Sequence, residues 1–155
     1  MLKKIRKGAR GGAGGRYAIV AAKYNSRFTD ALVRFAKEEL KGAASVRVIR
    51  VPGAFEVPLV AGRLARSGSV DAVICFGCVL RGATGHADHI VVGVTNALAQ
   101  LQTESGVPMI HGVLLFDNEQ QATERCLRKE TNRGIEAART AREMVQICLD
   151  LENTL

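Results

Sequence analysis

Arg81-Gly82-Ala83-Thr84-Gly85-His86 is the densest run of reactive and small residues in this 155-residue sequence. Small residues permit close backbone approach, and the free amides at the start of a helix bind anions. Thr84 adds a hydroxyl and Arg81 a positive charge. His86 brings an imidazole, the side chain whose charge changes near neutrality. Together these parts suit a phosphate-type site with a proton carrier; the plainer alternative is a strand-to-helix turn with a surface histidine. Tyr24 could stack on a planar ring or merely cover the rim of a core. In VPGAFEVP (51–58), two prolines bracket Phe55 and Glu56 in a rigid loop. Such a loop could offer backbone donors and a carboxylate to a ligand, or could be a tight connection and nothing more.

Other groups carry less. Cys75 and Cys78 form a C-x-x-C pair inside an apolar run. Residues three apart on a strand point to opposite faces, which puts a disulfide and shared metal ligation out of reach. A redox pair of this spacing needs a helix N-terminus, so both read as small core residues. His86 and His89 stand one helical turn apart, yet no third and fourth ligand follow at zinc spacing, and no metal is expected. Cys126 and Cys148 fall in helical segments as packing residues. Glu124-Arg125 and 132–136 read as solvated helix faces.

The elements that must position these residues follow from hydrophobic period. Residues 17–22 (YAIVAA) make an uninterrupted apolar run, as in a buried strand. Phe28, Ala31, Leu32, Phe35, Ala36 and Leu40 recur at helical spacing, closed by Lys41-Gly42. Residues 46–51 alternate like a strand, Pro52-Gly53 breaks them, and 58–66 reads as a helix with proline in its first turn. The most apolar stretch, 70–80, predicts a central strand, and 81–85 a loop. A long helix is predicted over 88–104, a fourth strand over 109–116, and helices over 119–129 and 133–149. Strand and helix alternating over short connections imply a parallel sheet with helices on both faces. Ligands then bind beyond the carboxyl ends of the strands, where Tyr24, the 52–56 loop, the 81–86 loop and Asp117 fall.

Charge is the unusual feature of the composition. The chain has 22 Lys plus Arg against 15 Asp plus Glu, a net +7. Six of those basic residues and no acid lie in MLKKIRKGARGGAGGR (1–16), leaving +1 for the rest. A Gly-rich segment with so little to bury reads as a flexible arm, followed by one domain over 17–155. The arm reads as solvated, and nucleic acid binding is not expected of it. The glycines are no dinucleotide fingerprint, since no strand precedes Gly8. No apolar run approaches the length of a membrane span, and nothing resembles a secretory leader. Four cysteines demand no disulfide framework, so a reducing, cytoplasmic setting is expected.

Taken together, Tyr24-Asn25, VPGAFEVP (51–58), GCVLRGATGH (77–86), GVPMIHGVL (106–114), the run from Gln120 to Arg125 and NRGIEAA (132–138) resemble the 6,7-dimethyl-8-ribityllumazine synthase family in order and spacing. The resemblance spans about 17–149. It implies a flavodoxin-like three-layer sandwich with a four-stranded parallel sheet. It also implies condensation of 5-amino-6-(D-ribitylamino)uracil with 3,4-dihydroxy-2-butanone 4-phosphate, without metal or organic cofactor. Tyr24 falls where the family stacks an aromatic on the pyrimidine. Ala54, Phe55 and Glu56 fall where the ribityl chain and the butanone are held. Val79 and Leu80 would offer backbone to the uracil edge. Ala83, Thr84 and Arg125 match the phosphate site, Glu136 the acid that orients that arginine, and His86 the proton-transfer histidine. Family sites lie between subunits of a pentamer, so Arg125, His111 and Arg133 would come from a neighbour. In the family the pentamer stands alone or builds a sixty-subunit shell, and riboflavin synthase is the partner implied. The chain departs from the family pattern with His111 for a usual Phe, Arg133 for Lys, Leu115 for Thr and Gln120 for Glu.

Overall fold

A computed structural model describes residues 14–155. The first strand, β1 (Arg16–Ala22), is followed by α1 (Ser26–Glu39), β2 (Ser45–Val51) and a 3-10 turn (Ala54–Glu56) that leads into α2 (Val57–Arg66). Then come β3 (Ala72–Leu80), α3 (His86–Ser105), β4 (Met109–Phe116), α4 (Glu119–Cys126) and α5 (Arg133–Thr154). All strand pairs are parallel, in the order β2-β1-β3-β4, which makes this a flavodoxin-like three-layer fold.

Two separate cores follow from the pleat. Tyr17, Ile19 and Ala21 of β1, with Ala72, Ile74 and Phe76 of β3, face α1, α4 and α5. Ala18 and Val20, with Val73 and Cys75, face α2 and α3. Central strands are covered on both faces, which is why 17–22 and the later part of 70–80 carry almost no polar residues. The edge strand β2 is different: only Val51 of its seven residues is fully buried. Helix α1 buries seven of its 14 residues against the sheet and α5, whereas α3 buries three of 20.

Several boundaries differ from the sequence reading, each for a local reason. Arg16, expected at the end of the arm, instead opens β1. It pairs with Ser45, and its guanidinium forks onto Asp71 while reaching the Gly68 carbonyl. Residues 1–13 of the predicted arm lie outside the described residues. Helix α3 starts at His86 rather than 88, so His86 belongs to a helix and not to a loop. Helix α4 stops at Cys126, short of 129. The buried Asn132 side chain takes over there, donating to the Cys126 carbonyl and accepting the Gly134 and Ile135 amides that open α5. Gly134 is required at that junction, because a Cβ would lie 2.5 Å from the Leu32 carbonyl of α1.

Candidate active site

Strand β1 connects onward to β2 on one side, and β3 to β4 on the other. The carboxyl ends of β1 and β3 therefore diverge, opening a crevice between their following loops. A cavity of about 720 Å³ lies there, within the usual range for small-molecule sites. It is bounded by Tyr24 and Asn25 after β1, by Gly53–Glu56 after β2, by Cys78, Val79 and Leu80 at the end of β3, and by His86, His89 and Ile90 of α3.

Local chemistry holds each of these in place. Asn25 adopts a left-handed backbone (φ 56°, ψ 46°), a conformation that asparagine tolerates better than most residues. Its Nδ2 donates to the Cys78 carbonyl at 2.6 Å, tying the ends of β1 and β3 together under the cleft. The Glu56 carboxylate turns back to accept the Gly53 amide at 2.9 Å, which fixes the 53–56 turn. Tyr24 and Phe55 stand out from this frame, 71% and 68% exposed. Two aromatic rings so uncovered on a cleft rim are surface that a ligand or another chain would bury.

The loop from Arg81 to Gly85 joins the end of β3 to the start of α3 beside the crevice. Arg81 was read from sequence as a cation for phosphate, but the structure gives it another task. Its guanidinium donates to Asp88 at 2.8 Å and to Asp117 at 3.2 Å, and its amide to the Phe116 carbonyl. That neutralises the charge and pins the loop between the start of α3 and the end of β4. Ala83 and Thr84 are exposed on this loop beside the cleft, with the Thr84 hydroxyl capping the His86 amide at 3.5 Å.

The remaining expected residues gather elsewhere. His111 pairs with Cys75 in the β3–β4 register, five residues before Leu80 and Phe116. At about 3.3 Å per residue that is roughly 16 Å below the carboxyl edge. The His111 Nδ1 accepts the Val113 amide, so its proton sits on Nε2 and is donated to the Thr95 hydroxyl at 2.7 Å. Burial, and secondly the nearby Arg133 cation, hold the ring's pKa below the ordinary histidine value. Arg133 donates to Glu136 at 2.8 Å, and Arg125 approaches the same carboxylate oxygen at 3.9 Å. None of His111, Arg125, Arg133 and Glu136 lines the cleft of its own chain.

The two cysteines of the C-x-x-C pair do face opposite cores. Burial pushes the Cys75 thiol up to about 12. Cys78 instead meets Cys126 of α4, whose S–H donates to it, lowering the first thiol's pKa and raising the second's. Among the described residues no three His, Cys, Asp or Glu side chains converge as a metal site would require, and no helix is long and apolar enough to cross a membrane. Sequence reasoning singled out no role for Asn25, His89 or Ile90. The Tyr24-Asn25 pair at a strand end and the i, i+3 histidines were the available signals.

A parallel sheet of this order, with a cleft at its switch point and histidines on the helix that follows β3, defines a flavodoxin-like α/β protein. The sequence model of the 6,7-dimethyl-8-ribityllumazine synthase family matches residues 14–148 of the 155. The chain belongs to the 6,7-dimethyl-8-ribityllumazine synthase family, and hence to riboflavin biosynthesis. The match begins two residues before β1, consistent with Arg16 being part of the folded body.

Proposed function

We propose that this protein is a cytoplasmic transferase, a lumazine synthase. It joins 5-amino-6-(D-ribitylamino)uracil to 3,4-dihydroxy-2-butanone 4-phosphate, releasing phosphate and water. One observation carries the reading: the chain holds two complementary half-sites that do not meet. The cleft offers the rings of Tyr24 and Phe55, the strand-end backbone of Val79 and Leu80, and the unpaired imidazole of His86. The cationic half, Arg125 and Arg133 around Glu136 with His111 nearby, sits apart from it. A ring of identical copies would bring one chain's cationic half over the next chain's cleft, since a heterologous contact repeats head to tail until it closes. A pentamer, alone or as the unit of a larger shell, is the assembly proposed.

In that arrangement the pyrimidine lies against Tyr24, with the neighbour's His111 flanking it. The ribityl chain runs along Ala54, Phe55 and Glu56, and the phosphate sits on Ala83 and Thr84 opposite the neighbour's Arg125. A fixed guanidinium and helix-start amides stabilise phosphate as it leaves. Forming the imine, shifting its double bond and closing the ring each move a proton, and His86 is the carrier proposed. Holding two substrates in register supplies much of the remainder. The assay is direct. The full chain given both substrates is expected to form lumazine, followed by its near-visible absorbance, well above the spontaneous rate. No product beyond that background rejects the reading.

A further inference from the structure

Two imidazoles, not one, open into the cleft. His86 begins α3 and His89 follows one turn later. Both line the cavity and both are exposed. Among the described residues neither ring has a hydrogen-bond partner, in contrast to His111, whose two ring nitrogens are both engaged. The two rings also serve different parts of the site. His89 leans back over Gly85, where a Cβ would lie 3.8 Å from the His89 Nε2. Its Nε2 therefore sits beside Gly85, at the end of the loop that carries Ala83 and Thr84 and to which the phosphate is assigned above, while His86 stands at the first position of the helix.

We propose that His89 is a second proton-transfer residue, one that delivers a proton to the departing phosphate while His86 serves the amine and carbonyl. The inference rests on the reaction proposed above and deepens it. In the elimination step a proton leaves the carbon next to the imine, and the carbon–oxygen bond to phosphate breaks. The bonding electrons go with the phosphate oxygen. A proton passed from the His89 imidazolium to that oxygen limits the charge that must build there, and the neutral ring is reprotonated from solvent through its exposed face. An acid at the leaving group and a shuttle at the forming imine are distinct tasks at distinct ends of the substrate. A single ring on the first helical residue would have to reach both.

The experiment compares wild type, His89→Ala and His89→Gln as full chains, with phosphate release and lumazine formation followed separately across pH. Phosphate release by the alanine variant is expected to slow by about 10- to 100-fold, and its pH profile should differ from that of the wild type. Imidazole added to the buffer should restore release to His89→Ala, where it leaves room, and not to His89→Gln. Melting temperatures should match, because the ring contributes no protein hydrogen bond. Wild-type release with a wild-type pH profile in His89→Ala overturns the proposal, and so does slow release that imidazole does not restore. Wild type that forms no lumazine would remove the reaction itself, an outcome distinguishable because every chain then fails alike.

Discussion

The cleft above β1 and β3 and the cluster along β4, α4 and α5 are built on opposite plans. In the cleft, two aromatic rings are more than two-thirds exposed, and among the described residues the His86 and His89 rings have no partner. In the cluster the site groups already have protein partners. Arg125 and Arg133 share Glu136, and the His111 ring accepts from Val113 and donates to Thr95. One surface leaves its binding capacity unspent, and the other spends it on orientation. Groups aimed in advance need no reorganisation when a charged ligand arrives, whereas groups that contact an apolar or titrating ligand must be free to do so. The difference explains how the two halves of one site can sit on one chain without cancelling each other.

The sharpest way to break this comparison is to disable one half at a time. Arg125→Ala removes the cation proposed for phosphate and is expected to lower kcat/KM by about 100- to 1000-fold, the range seen when a main donor to developing charge is lost. His86→Ala should slow turnover less, since it removes a carrier and not the counter-charge. Co-expressing the two variants with distinct tags then asks whether the halves come from different copies. In an equal random mixture about a quarter of head-to-tail interfaces pair an intact cleft with an intact cluster, and activity above the mean of the parents is expected. A mixture no better than that mean would place both halves of each site within one chain.

The legibility of the sequence tracks this division. The cleft loops were readable because strand ends, prolines and glycines mark them: Tyr24, the 53–56 turn and the 81–86 loop all line or border the cavity, as the α/β alternation required. Beyond that, the types and spacing of Arg125, Arg133 and Glu136 gave only a solvated helix face, and it was the family resemblance that singled them out. What brings them together is the Asn132 junction, whose bond to Cys126 spans six positions, and the packing of Gly134 on Leu32 of α1, about a hundred positions away. Arg81 was misjudged because Asp88 and Asp117, seven and 36 residues away in sequence, converge on it only after α3 and β4 are in place. The start of β1 was set one residue late because Arg16 reads as tail until its partner Asp71 is known.

A smaller effect tests whether the cluster's orientation is built in. Asn132 is 2% exposed and makes three hydrogen bonds that join the end of α4 to the start of α5. Asn132→Ala leaves two amides and a carbonyl without partners. It is expected to cost about 2–3 kcal/mol in denaturant unfolding. Because the junction sets Arg125 against Arg133, this variant should also raise KM for the phosphate substrate while sparing that for the pyrimidine. Equal changes in both KM values would mean that the junction supports the fold alone.

The smallest effect concerns protons. Burial, then Arg133, lowers the His111 pKa, and its Nδ1 accepts the Val113 amide; the Thr95 hydroxyl and the Arg133–Glu136 pair are the other polar groups beside it. Its pKa in the folded chain lies below the unfolded value of about 6.5. Between the two values the unfolded chain binds more protons, so stability from this group is complete above about pH 6.5 and is lost as pH falls through the folded pKa. The ring is partly solvated, which keeps the contribution modest. His111→Phe keeps a flat ring and removes the titration. Denaturant midpoints measured for both chains at neutral and mildly acid pH should therefore fall less for the variant. Parallel declines would show that the imidazole already titrates freely, and the contrast between an engaged cluster and an open cleft would lose its third member.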